Sequence, residues 1–366
     1  MVDSMPRGKR RPRYSGTHPR RFEDKYKELN PASHAGEAQK VMARGSTPAG
    51  THRPVCVPEL LAILDPRPGD VGVDATLGFG GHAREILPRL LPGGRLFGLD
   101  VDPVELPRTE ARLRGLGFGE DVLVVRRMNF AGLRRLLPEV GSGLDFVLAD
   151  LGVSSMQLDN PARGFTYKAD GPLDLRFNPH QGKPAAALLP TLTEAELVDL
   201  LVENADEPHA HAIARALRGQ HVGTTTQLAD LVRRGLTTAI PEATRPQETR
   251  KALQRTFQAL RIAVNAEFRA LEQFLALLPS CLKPGGRVAV VTFHSGEDQR
   301  VKKAFQTGHR EGIYERIARD PIRPSAEERH ANPRSSSAKL RWALKCRPHH
   351  ALAPDHSQEP SVEFTR

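Results

Sequence analysis

An α/β fold, a parallel Rossmann-like sheet with an inserted helical subdomain, is what the sequence predicts, on three observations. From Leu60 to Gly152 strand-like and helix-like segments alternate, as in chained βαβ units. A Gly-rich turn, Gly78-Phe79-Gly80-Gly81, joins the first of these strands to a helix. Residues 158–256 then hold no convincing strand, after which a buried-strand pattern resumes.

The elements follow in order. PELLAILD (58–65) has helical spacing and precedes the apolar run VGVDATL (71–77), the first strand. HAREILPRLL is a helix stopped by Pro92-Gly93-Gly94, and RLFGLDVD (95–102) is the second strand. VELPRTEARLRGL is a helix weakened by Pro107. VLVVRRMNF (122–130) and LDFVLADLG (144–152) are strands three and four, with the helical AGLRRLLPEV between them. The middle region carries amphipathic stretches such as TEAELVDLLVENA, HAIARALRGQ and TQLADLVRRGL. One long helix is expected over 256–282, ending at Lys283-Pro284-Gly285-Gly286, before the fifth strand GGRVAVVTF. GEDQRVKKAF is a helix, and SAKLRWALK alternates as a last strand. The expected division is a basic arm (1–50), a core (51–157 and 257–346), a helical insertion (158–256) and a tail (347–366).

Composition excludes several classes. Of 366 residues 39% are hydrophobic, enough for a core and too many for wholesale disorder. No run approaches the ~18 apolar residues of a membrane span, and no apolar segment follows the basic N-terminus as a secretory signal would require. Three scattered cysteines (Cys56, Cys281, Cys346) fit a reducing cytoplasm rather than a disulfide framework. The fourteen histidines form no compact ligand pattern, so no metal is expected. Net charge is +10, of which the first 21 residues carry +6. That arm is expected to be disordered, as a solubilising extension or as an electrostatic arm for an anionic polymer.

Asp74-Ala75-Thr76-Leu77-Gly78-Phe79-Gly80-Gly81-His82 ends a strand and opens a helix, whose free N–H groups can face a ligand. Asp100, 22 residues after Gly78, stands where a carboxylate takes both hydroxyls of a ribose. Together they outline a nucleoside site; a tight turn with a helix cap is the plainer alternative. Gly78-x-Gly80-x-x-Ala83 also matches a dinucleotide fingerprint. Asp74, however, would repel a pyrophosphate, whereas the sulfonium and ammonium of S-adenosylmethionine (SAM) tolerate it. Strand four ends at Asp150, the edge where a ligand sits in open α/β sheets. A carboxylate there suits an amino nucleophile, whose delocalised lone pair needs acceptors on its N–H groups. Asp150 could equally cap the next turn or hold the cofactor.

The strings HRPV (52–55), DATLGFGGH (74–82), GLDVDP (98–103), NF (129–130), DLGVSSMQLD (150–159), RGF (163–165), GPLDLR (171–176), FQALRIAVNAE (257–267), FHSGED (293–298) and NPRSSSAKLR (332–341) occur in that order. Together they closely resemble the 16S rRNA (cytosine-N4)-methyltransferases of the RsmH/MraW type, from His52 to about Lys345. The resemblance implies a SAM-dependent methyltransferase core with an inserted helical subdomain. It also implies methylation of N4 of a decoding-centre cytosine in 16S rRNA, within a small ribosomal subunit. By the resemblance, cofactor contacts fall on Gly80, Gly81, His82, Asp100, Phe130, Asp150 and Gln157. This chain departs from the pattern at Gly296, where the family usually has Leu, at PLDLRFN, and at Ala205-Asp206-Glu207-Pro208.

On the RNA side, Arg163, Arg334 and Lys339 are candidates for phosphate contacts, or ordinary solvated charges. Arg261 and Asn265, i and i+4 on one helix, could line the RNA side or brace the loop after strand four. His294 follows strand five, but without a G-x-S-x-G elbow it makes no hydrolase triad. Other classes stay open: an NAD(P)-dependent oxidoreductase, a non-catalytic RNA-binding or assembly factor, and a DNA amino-methyltransferase. The last usually carries (D/N)PP(Y/F), which Asp150-Leu151-Gly152-Val153 is not. In the reading preferred here, the proton on N4 can leave after transfer, so no strongly shifted base is required.

Overall fold

The computed structural model describes residues 54–347; the expected N-terminal arm, and the expected C-terminal tail apart from Arg347, lie outside the described residues. Helix α1 (Val57–Leu64) leads into β1 (Val71–Asp74), α2 (Gly81–Leu90), β2 (Arg95–Asp100), α3 (Glu105–Gly115) and β3 (Leu123–Arg127). A 3₁₀ segment, Phe130–Leu136, continues into α4 (Leu137–Val140), followed by β4 (Leu144–Asp150) and α5 (Ser155–Asp159). Then come α6 (Ala185–Leu188), α7 (Glu194–Ala205), α8 (Ala210–Leu217), α9 (Thr225–Leu236), α10 (Arg245–Asn265) and α11 (Glu267–Cys281). The chain closes with β5 (Leu282–Thr292), α12 (Ser295–Arg310), β6 (Tyr314–Ile317), α13 (Ala326–Ala331) and β7 (Lys339–Lys345). Among the described residues no helix is long and apolar enough to cross a membrane.

The strands form one sheet in the order β3-β2-β1-β4-β5-β7-β6. The first five are parallel; β7 runs antiparallel to β5, and β6 antiparallel to β7. This is the expected α/β class, doubly wound, with its switch point between β1 and β4. Ligands of open α/β sheets bind in the crevice at the carboxyl ends of such strands. Nearer the start of the β1–β4 pair, Gly72 and Phe146 are register partners, and the absent side chain matters: a Cβ on Gly72 would lie 2.0 Å from Phe146 Cζ. The Phe146 ring fills that space and is fully buried.

Residues from Phe165 to Leu260 build their own apolar cluster, including Leu201, Ile213, Leu228, Val232 and Phe257. The sheet has two others, one on each face, around Phe274 and Val147 and around Ile86 and Phe146. The boundary expected at 256/257 falls inside α10, because Ala252, Leu253, Phe257, Ala259 and Leu260 all belong to the helical cluster. Nor is there one helix over 256–282. Ala266 adopts the left-handed conformation (φ 49°, ψ 42°) and separates α10 from α11. The break has a packing cause: α10 serves the helical cluster, whereas Leu271, Phe274, Leu275 and Leu278 of α11 serve the sheet.

Other differences are local. The helix ends at Cys281 rather than at the Pro-Gly-Gly turn, which becomes an irregularity at the start of β5; Leu144 pairs with Leu282 and Phe146 with Arg287. Pro107 does not weaken α3, because at the third helical position its missing N–H has no intrahelical partner to lose. The short β6 carries no alternating signal in the sequence. A left-handed Ala costs about 1 kcal/mol that glycine does not pay. Ala266→Gly is therefore expected to raise the urea midpoint by an equivalent amount; a lowered midpoint would show that the break is not strained.

Candidate active site

A cavity of about 760 Å³ lies along the carboxyl ends of β1, β2, β4 and β5, within the range of small-molecule sites. Its floor is the glycine turn. Gly80 (φ 78°) caps α2, and a Cβ there would stand 3.0 Å from Thr109 Cγ2, so glycine lets the turn lie against α3. Helix α3 clamps the turn in place: Thr109 Oγ1 donates to Gly78 O (2.6 Å) and Arg112 donates to Phe79 O (2.8 Å). Gly81 and His82 line the cavity at the α2 N-terminus.

Asp100, at the end of β2, accepts from Gly78 N–H (2.8 Å) and Asp102 N–H (2.9 Å), and burial pushes its carboxyl up. Phe130 also lines the cavity, edge-on to Phe274 with centroids 5.2 Å apart. His82 Nε2 meets Val55 O at 3.0 Å, which assigns its proton there and leaves Nδ1 bare, 3.7 Å from Asp150 Oδ2. Burial lowers the His82 pKa. Asp150 donates its backbone N–H to Thr76 Oγ1 (2.6 Å), while its Oδ1 is buried without a hydrogen-bond partner. Burial, then the charge of Glu297, pushes the Asp150 carboxyl up to about 7.

The remaining predicted residues divide sharply. Gln157 lines the cavity, but its amide is committed: Nε2 donates to Asp102 Oδ2 (2.7 Å) and Oε1 accepts from Ser154 N–H (3.0 Å). Arg163 is not a phosphate contact. It is buried, donates to Asp102 Oδ2 (2.7 Å), and spends its other nitrogen on the carbonyls of Phe177 (2.8 Å) and Arg176 (3.2 Å). Lys339 is not at the cavity either; Asp298 of α12 binds both it and Arg341, so its charge is compensated inside the protein. Arg261 and Asn265 do line the cavity, as braces. Arg261 forms a two-pronged pair with Glu267 (2.8 and 3.0 Å). Asn265 accepts from Phe177 N–H and donates to Leu175 O, both at 2.8 Å. Arg334 stands at the cavity's edge, 40% exposed and 2.8 Å from Asp159. Asp74, for its part, sits behind the wall rather than in it, accepting from Thr76 N–H.

Two groups that sequence reasoning did not place complete the site. Asp102, inside GLDVDP, is the buried acceptor shared by Gln157 and Arg163. Glu297, inside FHSGED, accepts from Phe293 N–H (2.8 Å) and faces the cavity. Burial opposes its ionisation, yet His294, Arg261 and that amide together hold its carboxyl below the usual range.

Residues 49–346 match the description "MraW methylase family". The chain belongs to that family. Relatives agree along nearly the whole length. It is 54% identical over 341 residues to "Ribosomal RNA small subunit methyltransferase H 2" of Alkaliphilus metalliredigens, covering 92% of this chain and 97% of the relative. It is 52% identical over 345 residues to "Ribosomal RNA small subunit methyltransferase H 1" of Lachnoclostridium phytofermentans, covering 93% and 94%. The "H 1" protein of Agathobacter rectalis is 49% identical over 342 residues, covering 92% and 97%. This MraW methylase is therefore a methyltransferase, and the dinucleotide reading of its glycine turn falls away.

Asp74 gives a pH test of the floor. It is 1% exposed, and burial pushes its carboxyl up to about 6. A raised carboxyl pKa stabilises the fold while protonated, so this contribution is full below about pH 4 and lost as the pH rises through 6. Asp74→Asn keeps the acceptor for Thr76 and removes the charge. In urea unfolding from about pH 4 to pH 8, the variant is expected to gain on wild type by on the order of 2 kcal/mol; parallel slopes would contradict this.

Proposed function

We propose that this protein methylates the exocyclic N4 of a cytosine in 16S rRNA, with SAM as the methyl donor. The observation that carries the reading is one cavity that holds a glycine turn, a ribose-type carboxylate and, 3.7 Å from His82 of that turn, a second carboxylate, Asp150, whose Oδ1 has no partner. The relatives' names supply the substrate class: small-subunit ribosomal RNA. The assembled small subunit is the expected context, and the cytoplasm the expected place.

The residues fit such a donor. Gly80, Gly81 and His82 back the amino-acid end, Asp100 keeps one lone pair on each oxygen for ribose hydroxyls, and Phe130 offers a ring to the adenine. Cationic ligands are favoured near Asp150, whose buried oxygen has no other partner. When bound, SAM supplies an electrophilic methyl carbon on a positively charged sulfur.

The protein's own work is positioning and electrostatics. A paired cytosine has its N4 occupied, so the target is unstacked before it reaches the cavity. Asp150 then accepts one N4–H, returning electron density to a nitrogen whose lone pair is delocalised into the ring. The braces Arg163 and Asn265 fix the 175–177 segment beside the entrance by its carbonyls and one amide. That segment and the helical half face the RNA in this reading, and the sheet half holds the donor.

Nucleoside mass spectrometry tests the whole reading: unmodified small subunits, incubated with the protein and SAM, should yield N4-methylcytidine. Naked 16S rRNA run in parallel decides the assembly context. Asp150→Ala is expected to cut turnover by roughly 100-fold or more at saturating SAM; normal turnover would remove Asp150 from the site.

A further inference from the structure

His294 is an anomaly. It caps the N-terminus of α12 and lines the cavity, its side chain only 12% exposed; Nε2 faces Glu297 Oε1 at 3.2 Å, but Nδ1 is buried without a hydrogen-bond partner. Leaving a buried polar group unsatisfied costs about 1–3 kcal/mol, which calls for an explanation. Nothing about the ring's position is loose. Phe268 packs at a centroid distance of 5.8 Å, and the Arg300 guanidinium lies 3.6 Å over the far ring. Gly296 admits this arrangement, because a Cβ there would stand 2.6 Å from Phe268 Cζ and 3.3 Å from His294 Nδ1.

The surroundings say what the ring is for. Strands β4 and β5 are neighbours, with Asp150 and Val291 in register, so His294 and Asp150 stand at adjacent strand ends facing one cavity. Glu297 Oε1 lies 3.2 Å from His294 Nε2, and Glu297 is itself fixed by Phe293 N–H at its other oxygen. A neutral ring with its proton on Nε2, toward Glu297, leaves Nδ1 as an acceptor. Asp150 and His294, both in the cavity wall, therefore each carry a buried acceptor without a partner, Oδ1 and Nδ1, and an exocyclic amine brings two N–H donors.

We infer that His294 is a second catalytic residue, which accepts the proton that N4 must lose, and that Glu297 is the positioning residue that holds the ring and balances its charge. This rests on the cytosine-N4 reading above. Once N4 carries the methyl group it holds two hydrogens and a positive charge. One of those protons moves to Nδ1, the bonding pair stays on N4, and the neutral methylamino group is restored. The resulting imidazolium is paired with Glu297; its proton passes to water when the product leaves. The other charged groups around the ring are Asp150 on β4, Arg261 on α10, Glu267 on α11 and Arg300 on α12. Arg261 and Glu267 already neutralise each other.

Single-turnover methyl transfer to small subunits, read as N4-methylcytidine, together with SAM affinity by calorimetry, tests this on the full chain. His294→Ala is expected to bind SAM within about twofold of wild type and to transfer roughly 100-fold more slowly. Added imidazole should restore part of the rate. Glu297→Gln should slow transfer roughly tenfold, and the double variant should be no slower than His294→Ala, because the two act as a unit. His294→Gln, which fills more of the space, serves if the alanine variant does not fold. Transfer within twofold of wild type in either His294 variant overturns the proton assignment and leaves the cytosine reading standing. A wild-type protein that binds SAM and yields no N4-methylcytidine overturns both.

Discussion

A single buried carboxylate ties the two halves of this protein together. Asp102 is 1% exposed, directly after β2, and a charge so placed is stable only if fully paired. It is: Oδ1 accepts from Val104 and Glu105 N–H, and Oδ2 from Gln157 Nε2 and Arg163. Three consequences flow from that one group. The start of α3, and with it the clamp on the glycine turn, is set; the short helix after β4 is drawn toward the end of β2; and Arg163 is aimed at the carbonyls of Arg176 and Phe177. The glycine turn and the 175–177 segment therefore share a reference point. Loss of either partner would strand a charge in the interior, which is more damaging than loss of a surface pair.

The electrostatics of the cavity follow from geometry rather than from net charge. The described residues carry about half of the chain's +10, yet inside the cavity the unpaired character is acidic. Asp150 and Glu297 stand near the ends of β4 and β5, and nearby cations are engaged elsewhere: Arg163 by Asp102, Arg261 by Glu267, Arg334 by Asp159. A site of this kind favours a cationic donor over a phosphate-bearing one.

How much of this was legible in the sequence depends on the range of the signal. Strands β1 to β5 and the glycine turn were readable because each is a local pattern bounded by glycine or proline. The pocket-lining Asp100 and Asp150 were readable because strand ends in such sheets have a fixed functional meaning. Arg163, by contrast, looks like any surface arginine until Asp102, far back in the chain, is brought against it. The break at Ala266 carries no glycine or proline to announce it, since its cause is that α10 and α11 answer to different cores. Glu297 was hidden for a related reason: only the adjacency of β4 and β5 shows that it and Asp150 compete for one space.

The insertion of a self-contained helical cluster between β4 and β5 also bears on how the chain reaches its native state. Asp150 must find Val291 as its sheet neighbour across the whole of the intervening segment, and closing so long a loop in an open chain is slow. The cluster from Phe165 to Leu260 joins helices close in the chain, α7 to α8 and α8 to α9, and also packs α7 on α10, where Asn204 Nδ2 donates to Ala259 O. Once formed, that packing shortens the loop that β4 and β5 have to close. The helical half thus doubles as a scaffold for assembling the central sheet, and mutations within its core should be felt first in the rate at which β5 joins β4.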